Sequence, residues 1–205
     1  MKKTLIVIVL GLISCFSFSQ ITVVAGKHAN KFFKSAEDFM NDKPIDGVKL
    51  TKWVDYSSSI EFSENGASQK VKISKLQYTW FCNYEGMLMR VFDGDLYYTV
   101  VIGKMCFYIK SNEGTISKTS EDTYVLSGKF SDSWPAEYYS LTSTGPIEKL
   151  KEKTLEEYLE KNGLKSQYDN DPKYQRERKD CVMCWQEKKT NKMIKYVKLL
   201  NGKLQ

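Results

Sequence analysis

From Val48 to about residue 143 the chain repeats one pattern: a short run with period-two apolar spacing, then a turn signal, about every ten residues. No other feature restricts the fold as much. Ile60 and Phe62 alternate with polar residues, Glu64-Asn65-Gly66 turns the chain, and Val71 and Ile73 alternate with lysines. Period two on both sides of an Asn-Gly predicts a hairpin. Tyr78, Trp80 and Cys82 share the face of the next strand, and Tyr84-Glu85-Gly86 turns it. Met87, Met89 and Val91 follow, then Asp93-Gly94, then Leu96 to Ile102, which is apolar on both faces and so predicts a central strand. Gly103 breaks that strand before Met105 to Ile109, and Asn112-Glu113-Gly114 turns again. Further strands are expected near Tyr124–Leu126 and Tyr138–Leu141. Turns at this spacing join antiparallel neighbours, not crossover units.

After Pro146 the period becomes helical. Leu155, Tyr158 and Leu159 share a helix face, and Asn162-Gly163 ends that helix. Asp171-Pro172 reads as a helix opening, with Tyr174, Cys181, Cys184 and Trp185 on one side. A last helix carries Met193, Ile194, Val197 and Leu200, with Asn201-Gly202 as its close. Ahead of the strands, Ile21 to Val24 reads as a strand. Ser35-Ala36-Glu37-Asp38-Phe39 reads as a capped helical turn, stopped at Asn41-Asp42-Lys43-Pro44. Strands first and helices last predict an α+β fold: an antiparallel sheet of hairpins over 48–143, then C-terminal helices packed on it. The helices are expected to bury one sheet face and leave the other open for a partner.

Residues 1–19 are read as a signal peptide rather than as part of the fold. Lys2 and Lys3 precede an apolar run, Leu5 to Ile13, and Ser17-Phe18-Ser19-Gln20 is a small-residue exit. Cleavage after Ser19 is the preferred reading and leaves one domain, 20–205, β-rich over 20–145 and helical over 146–205. The rival is a lipobox, Leu12-Ile13-Ser14-Cys15, which makes Cys15 a lipidation site. Cys15 leads into Phe16, Phe18, Ile21, Val23 and Val24 rather than a polar tether. The expected location is periplasm, outer envelope or outside the cell, or the membrane surface if Cys15 is acylated. No second apolar run in the mature chain has membrane-spanning length.

Hydrophobic residues make up 41% and aromatics 13%, which excludes a disordered chain. Basicity is confined to the last third. Residues 21–145 hold 14 basic and 15 acidic side chains, whereas residues 146–205 hold 15 and 10. A solvated helical surface accounts for this; the sharper alternative is a patch for an acidic headgroup or polyanion. Nucleic acid is not an expected partner, because no recognition motif accompanies the charge.

Cys181-Val182-Met183-Cys184 is the motif with chemical potential. Two thiols three apart can be a redox pair, half a zinc site, a disulfide, or small apolar side chains beside Trp185; the last is the preferred reading. The pair is expected well inside a helix, which disfavours thioredoxin-like chemistry because a helix N-terminus lowers the thiol pKa. Trp185 stands where covalent haem attachment needs histidine. Cys82 and Cys106 are expected on strands, and if disulfides form the expected pairing is Cys82–Cys106 with Cys181–Cys184. His28 is the one histidine, expected as a surface side chain. Asp93-Gly94-Asp95 and Asp169-Asn170-Asp171 read as turns, since a calcium loop needs six or more oxygens. No glycine-rich phosphate loop is present.

Several segments resemble uncharacterised exported proteins of Bacteroidetes-type bacteria. They are Phe16-Ser17-Phe18-Ser19-Gln20, Ser35-Ala36-Glu37-Asp38-Phe39 with Asn41-Asp42-Lys43-Pro44, Phe92-Asp93-Gly94-Asp95-Leu96-Tyr97-Tyr98, Gly103-Lys104-Met105-Cys106, and Gly145-Pro146-Ile147-Glu148-Lys149-Leu150. The resemblance implies an exported compartment and supplies no catalytic residue.

The sequence names no catalytic, cofactor-binding or metal site. The leading expectation is a non-enzymatic binding or assembly module whose partner is another envelope protein or a glycan. The alternatives are a glycan-directed hydrolase using scattered Asp and Glu, and a thiol-redox or metal protein using Cys181 and Cys184.

Overall fold

A computed structural model describes residues 21–22, 28–120, 123–129, 133–177 and 181–203. The expected leader with Cys15, and the continuation of the first strand past Thr22, lie outside the described residues. In chain order the elements are β1 (Ile21–Thr22), β2 (Phe32–Phe33), α1 (Ala36–Met40), β3 (Val48–Lys52), β4 (Ser59–Glu64), β5 (Ala67–Lys72), β6 (Trp80–Cys82), β7 (Leu88–Phe92), β8 (Asp95–Ile102) and β9 (Cys106–Lys110). They continue as β10 (Gly114–Ser120), β11 (Thr123–Gly128), β12 (Glu137–Ser140), β13 (Glu148–Lys149), α2 (Glu152–Lys161), α3 (Lys165–Asp169) and α4 (Val182–Lys203). The fold is α+β, and every strand pair among the described residues is antiparallel.

Turn chemistry sets the register. Between β4 and β5, Asn65 and Gly66 take φ 49° and 86°, and between β7 and β8, Asp93 and Gly94 take 49° and 77°. Two consecutive left-handed residues make the turn whose twist matches paired strands, and Asn, Asp and Gly bear that backbone at least cost. The large sheet runs β13-β12-β9-β8-β7-β6-β2, with β1 also on β8. β3-β4-β5 forms a second sheet, joined to the first by a bridge between Lys31 and Lys49, and β10-β11 is a separate hairpin.

Alternation divides the large sheet into two buried faces. Phe81, Met89, Tyr98, Phe107 and Ile109 belong to the main core, which Leu50, Ile60 and Phe62 of the second sheet and Leu155, Met193, Val197 and Leu200 of the helices complete. The opposite face carries Trp80, Cys82, Leu88, Tyr97 and Tyr108, and Phe33, Phe39 and Ile147 cover them. That face is therefore not open, contrary to the expectation of an exposed sheet surface. The reason is that β2-α1 and the chain leading into β13 fold back over it. Exposed large apolar side chains are spread along the chain: Val54, Tyr84, Val125 and Leu141, with Val182 and Leu199 near opposite ends of α4.

Arg90 sits in this second face at 2% exposure. Its Nη1 donates to the Tyr108 hydroxyl at 2.8 Å and to Ser140 Oγ at 3.3 Å, and its Nη2 donates to the Gly145 carbonyl at 2.5 Å. The guanidinium also lies 5.4–5.5 Å from the ring centroids of Trp80, Phe92 and Tyr108. A buried cation held by neutral oxygens and ring faces spreads its charge over many partners.

The helices follow the expected faces but not all the expected ends. α2 stops at Asn162, with Gly163 at φ 70°. Asp171-Pro172 opens only one 3-10 turn, Pro172–Tyr174, and the chain is extended at Gln175. One helix, α4, then covers Val182–Lys203 and runs through Asn201. Asn201 is not a cap because its amide is occupied elsewhere: it bonds the backbone of Met105 in both directions. A Cβ on Gly103 would lie 2.3 Å from Asn201 Nδ2, so the helix reaches that close only over a glycine.

Candidate functional site

α4 is 22 residues long, and its buried side chains begin at Thr190. Thr190, Asn191, Met193, Ile194, Val197, Leu200 and Asn201 repeat at three- and four-residue spacing, the stripe that docks a helix on a core. The first two turns carry no fully buried residue: Val182 and Cys184 are exposed, and Met183 and Trp185 to Lys189 are half-buried. Cys181 and Cys184 lie on that end, both exposed, and are joined as a disulfide with Cα atoms 5.1 Å apart.

Their position corrects the expectation of a pair deep in a helix. Cys181 is the residue before the first helical position, and Cys184 is the third residue of the helix. The Cys184 N–H donates to Cys181 Sγ at 3.1 Å, and the Trp185 N–H donates to the Cys181 carbonyl at 2.9 Å. Cys181 Sγ thus meets a backbone donor that the helix itself leaves without a partner. The expected packing of both sulfurs as small core side chains does not occur: the 3-10 turn ends at Tyr174, the chain is extended at Gln175, and both cysteines are exposed where α4 begins. Trp185 is half-buried, and Arg176 lies 5.9 Å from its ring centroid.

No protein-family model, curated protein or solved structure matches this chain. The site is therefore read from its own geometry.

Cys82 and Cys106 are unpaired and buried, which overturns the expected Cys82–Cys106 bridge. They face the same side, but β6 and β9 are separated by β7 and β8. Three inter-strand steps amount to about 14 Å, twice the Cα separation a disulfide tolerates. Burial pushes the Cys82 thiol up to about 12, against a small opposing pull from Lys31. Cys106 Sγ donates to the Gly103 carbonyl at 3.4 Å. The four described cysteines thus fall into two chemical classes.

The other residues singled out in the sequence have structural roles. His28 is buried at 7% exposure, not on the surface, edge-on to Phe33 and Phe39 with its Nδ1 3.3 Å from Asp42 Oδ1. Asp93-Gly94 is the hairpin turn, and Asp95 pairs with Lys110 at 2.7 Å. Among the described residues no group of three or more His, Cys, Asp or Glu is placed to hold a metal ion.

Clefts among the described residues lie elsewhere, two of them of note. The larger, about 610 Å³, is bordered by Gly163, Gln167, Asn170, Asp171, Lys195 and Tyr196. Burial raises the Asp171 carboxyl, but bonds from Lys195 at 2.6 Å, the Tyr196 hydroxyl at 3.0 Å and the Lys173 N–H at 3.1 Å outweigh it and hold it below the usual carboxylate range. The smaller, about 240 Å³, lies where the two sheets meet, bordered by Tyr56, Ser57, Ser74, Asp95, Ser111 and Asn112. Each cleft has one lining carboxylate, already engaged by a lysine. Neither presents the opposed pair of carboxyls that glycoside hydrolysis requires.

Four lysines of the basic third meet acids of the same third. Lys189 meets Glu152 at 2.8 Å, Lys188 meets Glu177 at 3.5 Å, Lys165 meets Asp169 and Lys195 meets Asp171. These four ion pairs tie part of the basic third to its own carboxylates.

Proposed function

We propose that the chain is an exported protein that exchanges disulfides with a dithiol-bearing partner through Cys181 and Cys184. The observation that carries this reading is the exposed disulfide at the tip of α4, outside the core, with one sulfur at the helix N-terminus. A thiolate there is favoured by the helix dipole and by backbone N–H groups, which makes Cys181 the better leaving group of the pair. The disulfide is also a poor staple. Closing a loop of about four residues removes roughly 2 kcal/mol of chain entropy, against roughly 4.7 for a hundred-residue loop. The leader-like residues 1–19 fit an oxidising compartment, in which such a bond persists.

The chemistry balances without a cofactor. A partner thiolate attacks Cys181 Sγ, the intramolecular S–S bond breaks, and Cys184 departs as thiolate. The partner's second thiolate then attacks the mixed disulfide, releasing Cys181. The partner leaves oxidised, and this chain keeps two protons and two electrons as a dithiol. Equilibration with glutathione buffers tests the reading. A reduction potential above about −270 mV is expected; a value below about −300 mV marks a structural bond and defeats it.

A second reading, an envelope binding module for a glycan, is favoured by the smaller cleft. Ser57, Ser74, Ser111 and Asn112 offer donors and acceptors to a polyhydroxylated ligand beside the Tyr56 ring. Titration of isotope-labelled protein with oligosaccharides should shift the amides of Ser111 and Asn112; unshifted amides remove this reading.

A further inference from the structure

One half-buried carboxylate on α4 has no hydrogen bond or ion pair among the described residues. Glu187 is three residues after Cys184 on the same helix. Side chains three apart lie one above the other, about 5–6 Å between Cβ atoms. Every Cα–Cβ bond on a helix tilts toward its N-terminus, so the Glu187 Cβ is directed at the turn that holds Cys184.

From this placement we propose that Glu187 is the proton-transfer partner of Cys184 in disulfide exchange. The inference rests on the exchange reading above and assigns a residue to it. When a thiolate attacks Cys181 and the S–S bond breaks, the electron pair leaves on Cys184 Sγ. The Glu187 carboxyl gives that sulfur its proton and becomes carboxylate. In the reverse direction the carboxylate takes the proton back as Cys184 attacks the mixed disulfide.

The surroundings suit this role. Burial raises the Glu187 carboxyl above the ordinary carboxylate range, and no other cause acts on it. The charged and titratable neighbours are occupied. Lys188 on the same helix meets Glu177, and Arg176 lies over Trp185. From the facing elements, Glu137 of β12 accepts from Thr190, and the backbone N–H and carbonyl of Tyr124 on β11 are held by Asn191. No described cation pairs with Glu187, so burial alone acts on its carboxyl.

The test is the rate of reduction of the intact protein by dithiothreitol between pH 5 and 9, for wild type, Glu187→Gln and Glu187→Ala. General acid–base assistance is worth on the order of 10²-fold, so both variants should be slower by that order, with the limb due to the carboxyl missing from their pH profiles. Both should melt at or above the wild-type temperature, since a half-buried unpaired carboxylate has been removed. Variants with wild-type rates and profiles overturn the proton-transfer role while leaving exchange intact. A wild-type disulfide that resists dithiothreitol in the folded state overturns both.

Discussion

Asn201 holds Met105 by a two-way amide contact: the Met105 N–H donates to Asn201 Oδ1 at 2.8 Å, and Asn201 Nδ2 donates to the Met105 carbonyl at 2.9 Å. Asn191, ten residues earlier on α4, treats Tyr124 of β11 the same way, at 2.9 Å in both directions. Each side chain completes a backbone as a neighbouring strand would. The helix is thereby registered against the sheet at one point and against the hairpin at another, and its N-terminal turns are aimed by those two clamps.

Replacing Asn201 by Ala leaves a buried N–H and a buried carbonyl without partners. A loss of about 1–3 kcal/mol per group is expected in urea unfolding. Asn201→Asp keeps the acceptor and loses the donor, so it should fall between Ala and wild type near pH 4 and nearer Ala at pH 7. Equal stability for all three proteins contradicts the clamp.

Arg90 ties the segment before β13 to the sheet through Gly145, Ser140 and Tyr108. Arg90→Met preserves much of the volume and the ring contacts but loses every donor. The Gly145 carbonyl then loses its guanidinium donor, while Tyr108 and Ser140 keep their mutual 2.9 Å bond. Amide exchange should accelerate over 141–147 with little change in β8 or β9. Lys is not a substitute, because one ammonium cannot span the fork of acceptors. Arg90→Lys with wild-type protection over 141–147 would contradict this account.

Local chemistry was legible in the sequence, and distant pairing was not. The Asn65-Gly66 and Asp93-Gly94 turns are visible because each demands left-handed backbone at two successive residues. The α2 stop at Asn162-Gly163 is visible for the same kind of reason. Arg90 is invisible because an arginine between apolar neighbours reads as a strand's solvent side; its acceptors are 18 to 55 residues away. Asn201-Gly202 reads as a helix end because nothing local shows Met105 waiting for its amide. Tyr174, Cys181 and Cys184 match helical spacing, yet the chain between Tyr174 and Cys181 is extended at Gln175, and only that break puts Cys181 at a helix start. Cys82 and Cys106 share a face, which the period shows, but not the two strands between them.

Stability should fall with acid through Asp171. Its carboxyl is held below the usual range in the folded state, by Lys195, Tyr196 and the Lys173 N–H working against burial. A depressed folded pKa stabilises above the unfolded value, near 3.9, and that stability is lost as pH falls through the folded value. Glu152, held down by Lys189 and Tyr168 against burial, adds to the same slope. Asp171→Asn should therefore cost about 1–3 kcal/mol at pH 7 and progressively less below pH 4. Thermal melts of both proteins from pH 7 to pH 3 measure the convergence; parallel curves exclude Asp171 as the acid-sensitive group.

The two thiol classes should separate under an alkylating reagent. Cys82 and Cys106 are sealed between the large sheet and the chain folded over its second face, and Cys82 stays protonated at pH 8 because burial pushes it up to about 12. A protonated, covered sulfur reacts only when the sheet opens. For a domain stable by 5 kcal/mol or more, that suppresses alkylation by roughly 10³-fold or more relative to denatured protein. Mild reduction should instead expose Cys181 and Cys184 at once, because no packing has to yield at the tip of α4. Mass spectrometry of a protein spanning residues 20–205, after brief alkylation at pH 8, should show no label before reduction and two after it, both within 181–184. Four labels should appear only in denaturant. Early label on Cys82 or Cys106 would mean that the second face opens readily. It would also leave the α4 disulfide no longer distinguished from the other cysteines by access.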